Sequence, residues 1–198
     1  MDTSEVQTWM DAVTAPLTVI GEHIIDEYHW AEPRGRSAKD GIVTWALDGV
    51  SEWDGGAAVI ARHIEEIYGT KPRAILSEPL RKSRMVERVQ YRKVASWVRQ
   101  ESVMPLTLFL VPNIAVGIVA DFGHGFLDSE AARSIERDME WLALTVQSNS
   151  LNWGMTTLRK WAKADFVIVD EAELRLATGE RALSLHSQIE TEAARLGA

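Results

Sequence analysis

Ile114-Ala-Val-Gly-Ile-Val-Ala-Asp121, running on into Phe122-Gly-His-Gly125, is the stretch on which the fold turns. Its apolar, β-branched residues form a run of strand length with no polar alternation, the pattern of a strand buried on both faces. The acid and two glycines that follow place a loop at its carboxyl end, with His124 between the glycines. On its carboxyl side, Ser129 predicts the N-cap of a helix to about Leu142, followed by a strand Leu144–Gln147, a helix Gly154–Ala162 and a strand Asp165–Val169. Glu171 to Ala198 reads as helical and acidic. On its amino side, Leu106–Val111 is a second apolar segment. Residues 73–101 alternate basic and apolar side chains, a half-exposed strand or a polar helix. Strands alternating with helices of this length predict an α/β fold, a mostly parallel sheet with helices on both faces.

The amino-terminal third fits the same plan. Pro16–Gly21 is a short β-branched run ending in glycine, the expected first core strand. Asp26 to Asp54 is aromatic, charged and broken by Pro33, Gly35, Gly41 and Gly49, with Ile42–Leu47 as its clearest strand, which suits an exposed hairpin or side sheet. Gly55 and Gly56 then open a helix, Ala57–Tyr68, whose Ala57, Ile60, Ala61, Ile64 and Ile67 recur at core-facing spacing.

Composition narrows the partners. The 198 residues carry 29 acidic and 21 basic side chains, a formal charge of -8 that repels nucleic-acid and anionic membrane surfaces. No apolar run reaches a membrane span and Met1–Glu5 is acidic, so the expected location is cytoplasmic. With no cysteine, disulfides and thiol chemistry are excluded. The five histidines lack zinc-site spacing.

In open parallel sheets ligands bind beyond the carboxyl ends of the strands. Four places qualify: residues 22–26, 54–56, 121–125 and 170–173. Asp26 can accept hydrogen bonds from hydroxyls, or be an ordinary solvated loop acid. Gly55 and Gly56 allow close backbone approach at a helix N-terminus, or simply pack helix on sheet. Asp121, Gly123, His124 and Gly125 suit an anion-binding loop. Asp121-Phe-Gly is not a protein-kinase signature, since the other motifs of that set are missing. Asp170 and Glu173 open a helix after a strand, where acids complement the helix dipole or hold a hydrated magnesium ion.

These islands, in this order, resemble the ribokinase-like, or PfkB, carbohydrate kinases, in particular the branch of the bacterial heptose-phosphate kinases. The likeness runs from about residue 16 to 180. Val19–His29 is similar to the family's first strand and its sugar-binding aspartate, Trp53–Ala58 to its double-glycine signature, and Arg81–Val86 to the basic strand after its lid. Val119–Gly125 resembles the central strand and loop, Leu144–Asn149 and Asp165–Leu174 the next two strands, the latter carrying Asp170 to Glu173 in place of the family's Asn-x-x-Glu. The resemblance implies a partial ribokinase-like fold over 1–198 with a small β lid from about 27–53 and 80–100. It implies sugar contacts from Asp26, Gly55 and Gly56, with Asp121, Gly123, His124, Gly125, Asp170 and Glu173 near phosphate or metal. Glu22 stands where the family commonly has aspartate, and the stretch from Gly56 to Asp121 is shorter than usual, which implies loss of a strand-helix unit.

The family's transfer step needs a later Gly-Ala-Gly-Asp segment, whose aspartate is the base. These 198 residues do not contain it. The expectation is therefore a reduced, non-catalytic protein that binds a sugar phosphate or a protein partner, dimeric through its lid. The alternative is one half of a split ATP-dependent carbohydrate kinase, with Mg2+ and ATP bound only if a complementary chain completes the site. Trp30, Trp45 and Trp53 in the lid suit sugar stacking or a dimer surface, or plain packing.

Overall fold

A computed structural model describes residues 17–98, 103–106, 114–148 and 158–198. The expected strand Leu106–Val111 therefore lies outside the described residues beyond Leu106, as do Pro16, Asn149 and the first part of the Gly154–Ala162 helix.

Five strands form one all-parallel sheet. These are β1 (Leu17–Gly21), β4 (Arg73–Leu76), β7 (Ile114–Asp121), β8 (Met139–Val146) and β9 (Phe166–Ile168), in the order β4-β1-β7-β8-β9. The middle strand β7 is apolar up to its terminal Asp121 because both of its faces are covered. On one face Val19 and Ala120 meet Ala57 and Ile64 of helix α1 (Gly56–Tyr68). On the other, Ile20, Val119, Leu142 and Leu144 pack with Ala131 and Ile135 of α2 (Ser129–Asp138), with Trp161, and with Ala177 and Leu196 of the two last helices, α3 (Glu171–Thr178) and α4 (Leu185–Leu196).

A second sheet, order β3-β2-β5-β6, is built from β2 (His23–Arg36), β3 (Val43–Gly55), β5 (Leu80–Glu87) and β6 (Arg92–Val98). Here β2 pairs antiparallel with β3 and parallel with β5. Residues 73–98 thus resolve as three strands, not a polar helix. Only Glu22 separates β1 from β2, so the second sheet leaves the carboxyl end of the parallel sheet directly.

Four boundaries differ from the sequence reading. Asp128 caps α2, its carboxylate accepting from the Glu130 and Ala131 amides, so Ser129 is already helical. That helix stops at Asp138, and Met139–Leu142 instead pair with β7 in the register Ile114 with Met139. Within 158–162 the chain forms only a short 3₁₀ turn, Leu158–Lys160. The terminal helical stretch divides at Gly179, which caps α3 with φ 69°, and restarts behind Ser184. In α1 the expected core residue Ile67 is 58% exposed, because the helix runs past the sheet after Ile64. Among the described residues no helix is long and apolar enough to cross a membrane.

Candidate ligand-binding site

Glu22 is the junction of the site. It sits at the end of β1 with none of its surface exposed. Its backbone oxygen accepts from the Ala57 amide at 2.9 Å, fixing the first turn of α1. Its carboxylate accepts from the Phe122 amide at 2.9 Å and the His124 amide at 3.1 Å. One residue thereby ties together the strand end, the double glycine and the Asp121–Gly125 loop. Burial, and then the nearby Asp121 charge, push the Glu22 carboxyl above its ordinary range, against the lowering effect of those amides.

The same contacts redefine the loop that was expected to hold an anion. Phe122 and His124 give their amides to Glu22, and Gly123 gives its own to Asp121 at 3.2 Å. Two of the loop's amides are thus turned onto the protein's own Glu22 carboxyl group. Gly125 turns the chain at φ 94° with open space about it. The Asp121 carboxylate is fully buried and already committed: the Trp161 indole donates to it at 3.0 Å and the Lys160 ammonium lies 2.5 Å away. Lys160 also donates to the Leu127 oxygen at 2.6 Å.

Asp170 and Glu173 form a reciprocal capping box at the start of α3. Asp170 accepts from the Glu173 amide at 2.9 Å, while Glu173 accepts from the Asp170 amide at 3.2 Å and the Ser148 amide at 2.9 Å. Hydrogen bonding with Glu173 holds the Asp170 carboxyl low, and burial pushes the Glu173 carboxyl up. Both acids thus have a structural employment. Among the described residues no three His, Asp or Glu side chains converge on a point where a metal ion could sit. With both carboxylates so engaged, the donor set does not fit magnesium.

Asp26, Gly55 and Gly56 do come together, where β2, β3 and α1 meet. Residues paired in register share a face of a sheet, so Trp53, Asp26, Lys82 and Val98 form one row across the lid. Asp26 is ion-paired to Arg84, whose guanidinium lies 5.5 Å above the Tyr28 ring. A Cβ on Gly55 would stand 2.8 Å from the Asp26 Oδ2 atom. Gly56, at φ 61°, has no room for one either, since it would overlap the Glu22 carbonyl oxygen. We expect Gly55→Ala to push Asp26 off Arg84 and lower ligand affinity roughly tenfold, while unfolding in urea shifts by only about 1 kcal/mol. Unchanged affinity by calorimetry would remove Asp26 from the site.

Lys82 and Arg84 belong to the basic strand of the sequence reading, and their spacing of two, alternating with the buried Ser83 and half-buried Met85 on the other face, is the signal that sets them apart. Lys82 is largely withdrawn from water, and this desolvation lowers its pKa despite the favourable fields of Asp26 and Glu22. His124 titrates at about 4, held down by burial and then by the Lys82 charge, and is neutral at physiological pH. Lys82 thus lies near enough to Glu22 and His124 for their charges to interact, on the lid strand next to the carboxyl end of β1. Among the lid tryptophans, Trp53 is 60% exposed in the Asp26 row, while Trp30 donates to Ser51 at 2.9 Å and packs beside Tyr28.

No family model matches the chain, and no curated protein matches its sequence. Solved structures share its fold. A nucleoside kinase of Methanocaldococcus jannaschii, an archaeal member of the ribokinase family, aligns with TM-score 0.53 and 8% identity over 91% of this chain and 67% of its own. Ribokinase of Arabidopsis thaliana, complexed with ribose and ATP, gives 0.53 and 15% over 91% and 68%. Phosphofructokinase-2 of Escherichia coli, in complex with fructose-6-phosphate, gives 0.53 and 8% over 91% and 69%. The architecture is ribokinase-like, a parallel sheet with a second sheet rising from its carboxyl end. The chain spans about two thirds of the length of these structures.

Proposed function

We propose that this chain is a carbohydrate-kinase-like protein that binds a sugar or sugar phosphate in the cleft between its two sheets and does not by itself transfer phosphate. The convergence of Asp26, Gly55 and Gly56 under the lid carries the reading. There a carboxylate and a side-chain-free backbone face the place where open α/β sheets take ligands. Trp53 adds an exposed indole face in the same row, suited to a sugar ring. Asp121, Asp170 and Glu173, the acids near the strand ends, are engaged in holding the structure rather than turned to a reacting group. Kinship with the heptose-phosphate kinases belongs to this proposal.

The protein also pairs through its lid. On the face opposite Asp26 and Lys82, Leu47, Val50 and Trp97 are exposed around Glu27, which is buried among Ser83, Arg81 and His29. An apolar patch rimmed by ion pairs suits a second copy. Calorimetric titration of the full chain with ribose and fructose 6-phosphate, alongside light scattering for mass, tests both halves. Binding of either compound by a dimer is the expected result. No heat with any sugar or sugar phosphate overturns the ligand reading, and ATP-dependent phosphorylation by the isolated chain overturns the non-catalytic one.

One observation favours the split-kinase reading. Strand β9 is the sheet edge, with Phe166 50% and Ile168 60% exposed beside an apolar groove of about 490 Å³ lined by Leu174, Leu185, Ile189 and Leu196. A complementary segment added there would cover an edge that is otherwise a liability.

A further inference from the structure

We propose that residues 1–16 of this chain dock, as an amphipathic helix, on a part of the parallel sheet that α1 leaves bare. This surface is separate from the lid, and the inference is independent of what the lid binds.

The parallel sheet is covered unevenly. Pairing in register puts Val116 with Trp141, Ile118 with Ala143 and Phe166, and Thr145 with Ile168 on one face. Ile118 belongs to the cluster under α1, which packs on β1, β4 and β7. Over β8 and β9 the same face leaves Trp141, Phe166 and Ile168 exposed by 41%, 50% and 60%. On the opposite face, Leu144 and Val167 of the same two strands pack into the larger core. A parallel sheet is ordinarily covered on both faces, so three large apolar side chains in one patch mark a place where something docks.

The anchors of the chain decide what that is. Residues 107–113 and 149–157 are held at both ends on the other side of the sheet, because Leu106, Ile114, Val146 and Leu158 all lie in or against the core of α2, α3 and α4. Residues 1–16 are tied at Leu17, which packs into the α1 cluster. Their sequence suits the bare face. Val6, Trp9, Met10 and Val13 recur at the spacing of one helical stripe, with Ser4, Gln7, Thr8 and Asp11 opposite. Asp2 stands three residues before Glu5, as at a helix start, and Pro16 closes the run. A helix of fewer than about 12 residues is marginal alone in water, so this stripe needs a surface as much as the sheet needs a cover.

The reach is sufficient. In the order β4-β1-β7-β8-β9, β8 is two strands from β1, about 10 Å, a gap that residues 14–16 span when extended. A helix seated there lies beside α1 at the usual packing distance of about 10 Å. The backbone edge of β9 and the groove lined by Leu174, Leu185 and Ile189 are left open.

The chain has no cysteine, so paired cysteines in the full protein report this contact without background. Under mild oxidation, Met10→Cys with Phe166→Cys, or Val6→Cys with Ile168→Cys, is expected to form a disulfide within one chain, identified by peptide mass spectrometry. Met10→Cys with Ile189→Cys, on α4, is expected to form none. Failure of both pairs to link, or an equal yield with Ile189→Cys, overturns the proposal. Links only between chains overturn it too, and assign the face to a second copy. A second measurement needs no cysteine. Trp9→Glu should lower the urea midpoint of the native sequence, and should lower it much less when Phe166→Ser is already present. An equal loss in both backgrounds, or no loss in either, overturns the docking.

Discussion

Replacing Asp121 by alanine is expected to lower the unfolding free energy by about 3–5 kcal/mol, the cost of stranding one member of a buried ion pair. Its carboxylate has no exposed surface and joins three elements: the loop through the Gly123 amide, the 3₁₀ turn through Lys160, and the core through the Trp161 indole, itself fully buried. Alanine leaves Lys160, whose side chain is only 14% exposed, with the Leu127 oxygen as a partner but no counter-charge. Asp121→Asn keeps the shape and can still accept from Trp161, so it should lose less, about 1–3 kcal/mol. Urea unfolding followed by far-ultraviolet circular dichroism measures both. An Asp121→Ala variant of unchanged stability but altered ligand affinity would instead return the residue to the ligand site.

That expectation inverts what the sequence suggested for the same aspartate, and the reason is physical. Period and run length made β1, β7, α1 and the parallel order legible, since a strand buried on both faces leaves no polar alternation. The antiparallel pair β2 and β3 was legible through its glycines and its aromatic, charged composition. The boundary of α2 was not: Ile135, Met139 and Leu142 fall at helical spacing, and only the pairing of Met139 with Ile114 across the sheet turns the last two to strand. Gly55 and Gly56 were legible as the entrance of α1, whereas Asp26, read as an acid near a strand end, lies inside the long strand β2. Lys82 was not, because a lysine in an alternating strand is ordinarily solvated. Its partial withdrawal from water depends on a parallel pairing with β2, in which Asp26 stands opposite Lys82 across 55 intervening residues. Which acids face inward was equally hidden, since Glu22, Asp121 and Glu173 differ from surface acids only in the donors that the fold brings to them.

Glu22→Ala is the second large effect, expected at about 2–4 kcal/mol, because two backbone donors lose their acceptor at once. The position predicts more than stability. Burial and the Asp121 charge raise the Glu22 carboxyl in the folded state above its ordinary 4.5. The folded protein therefore holds this proton at pH values where the unfolded chain has released it. For a raised carboxyl the contribution is complete below 4.5 and declines as pH rises toward the folded value. Glu22→Gln cannot titrate, so the wild-type advantage over it should be larger near pH 4.5 than at pH 8, compared by urea midpoints at matched ionic strength. The amide accepts only one of the two backbone hydrogen bonds, so Gln does not restore the loop at either pH. An advantage that grows with pH instead would mean that Glu22 is ionised throughout. The loop amides of Phe122 and His124 would then be held by a full negative charge across the whole range.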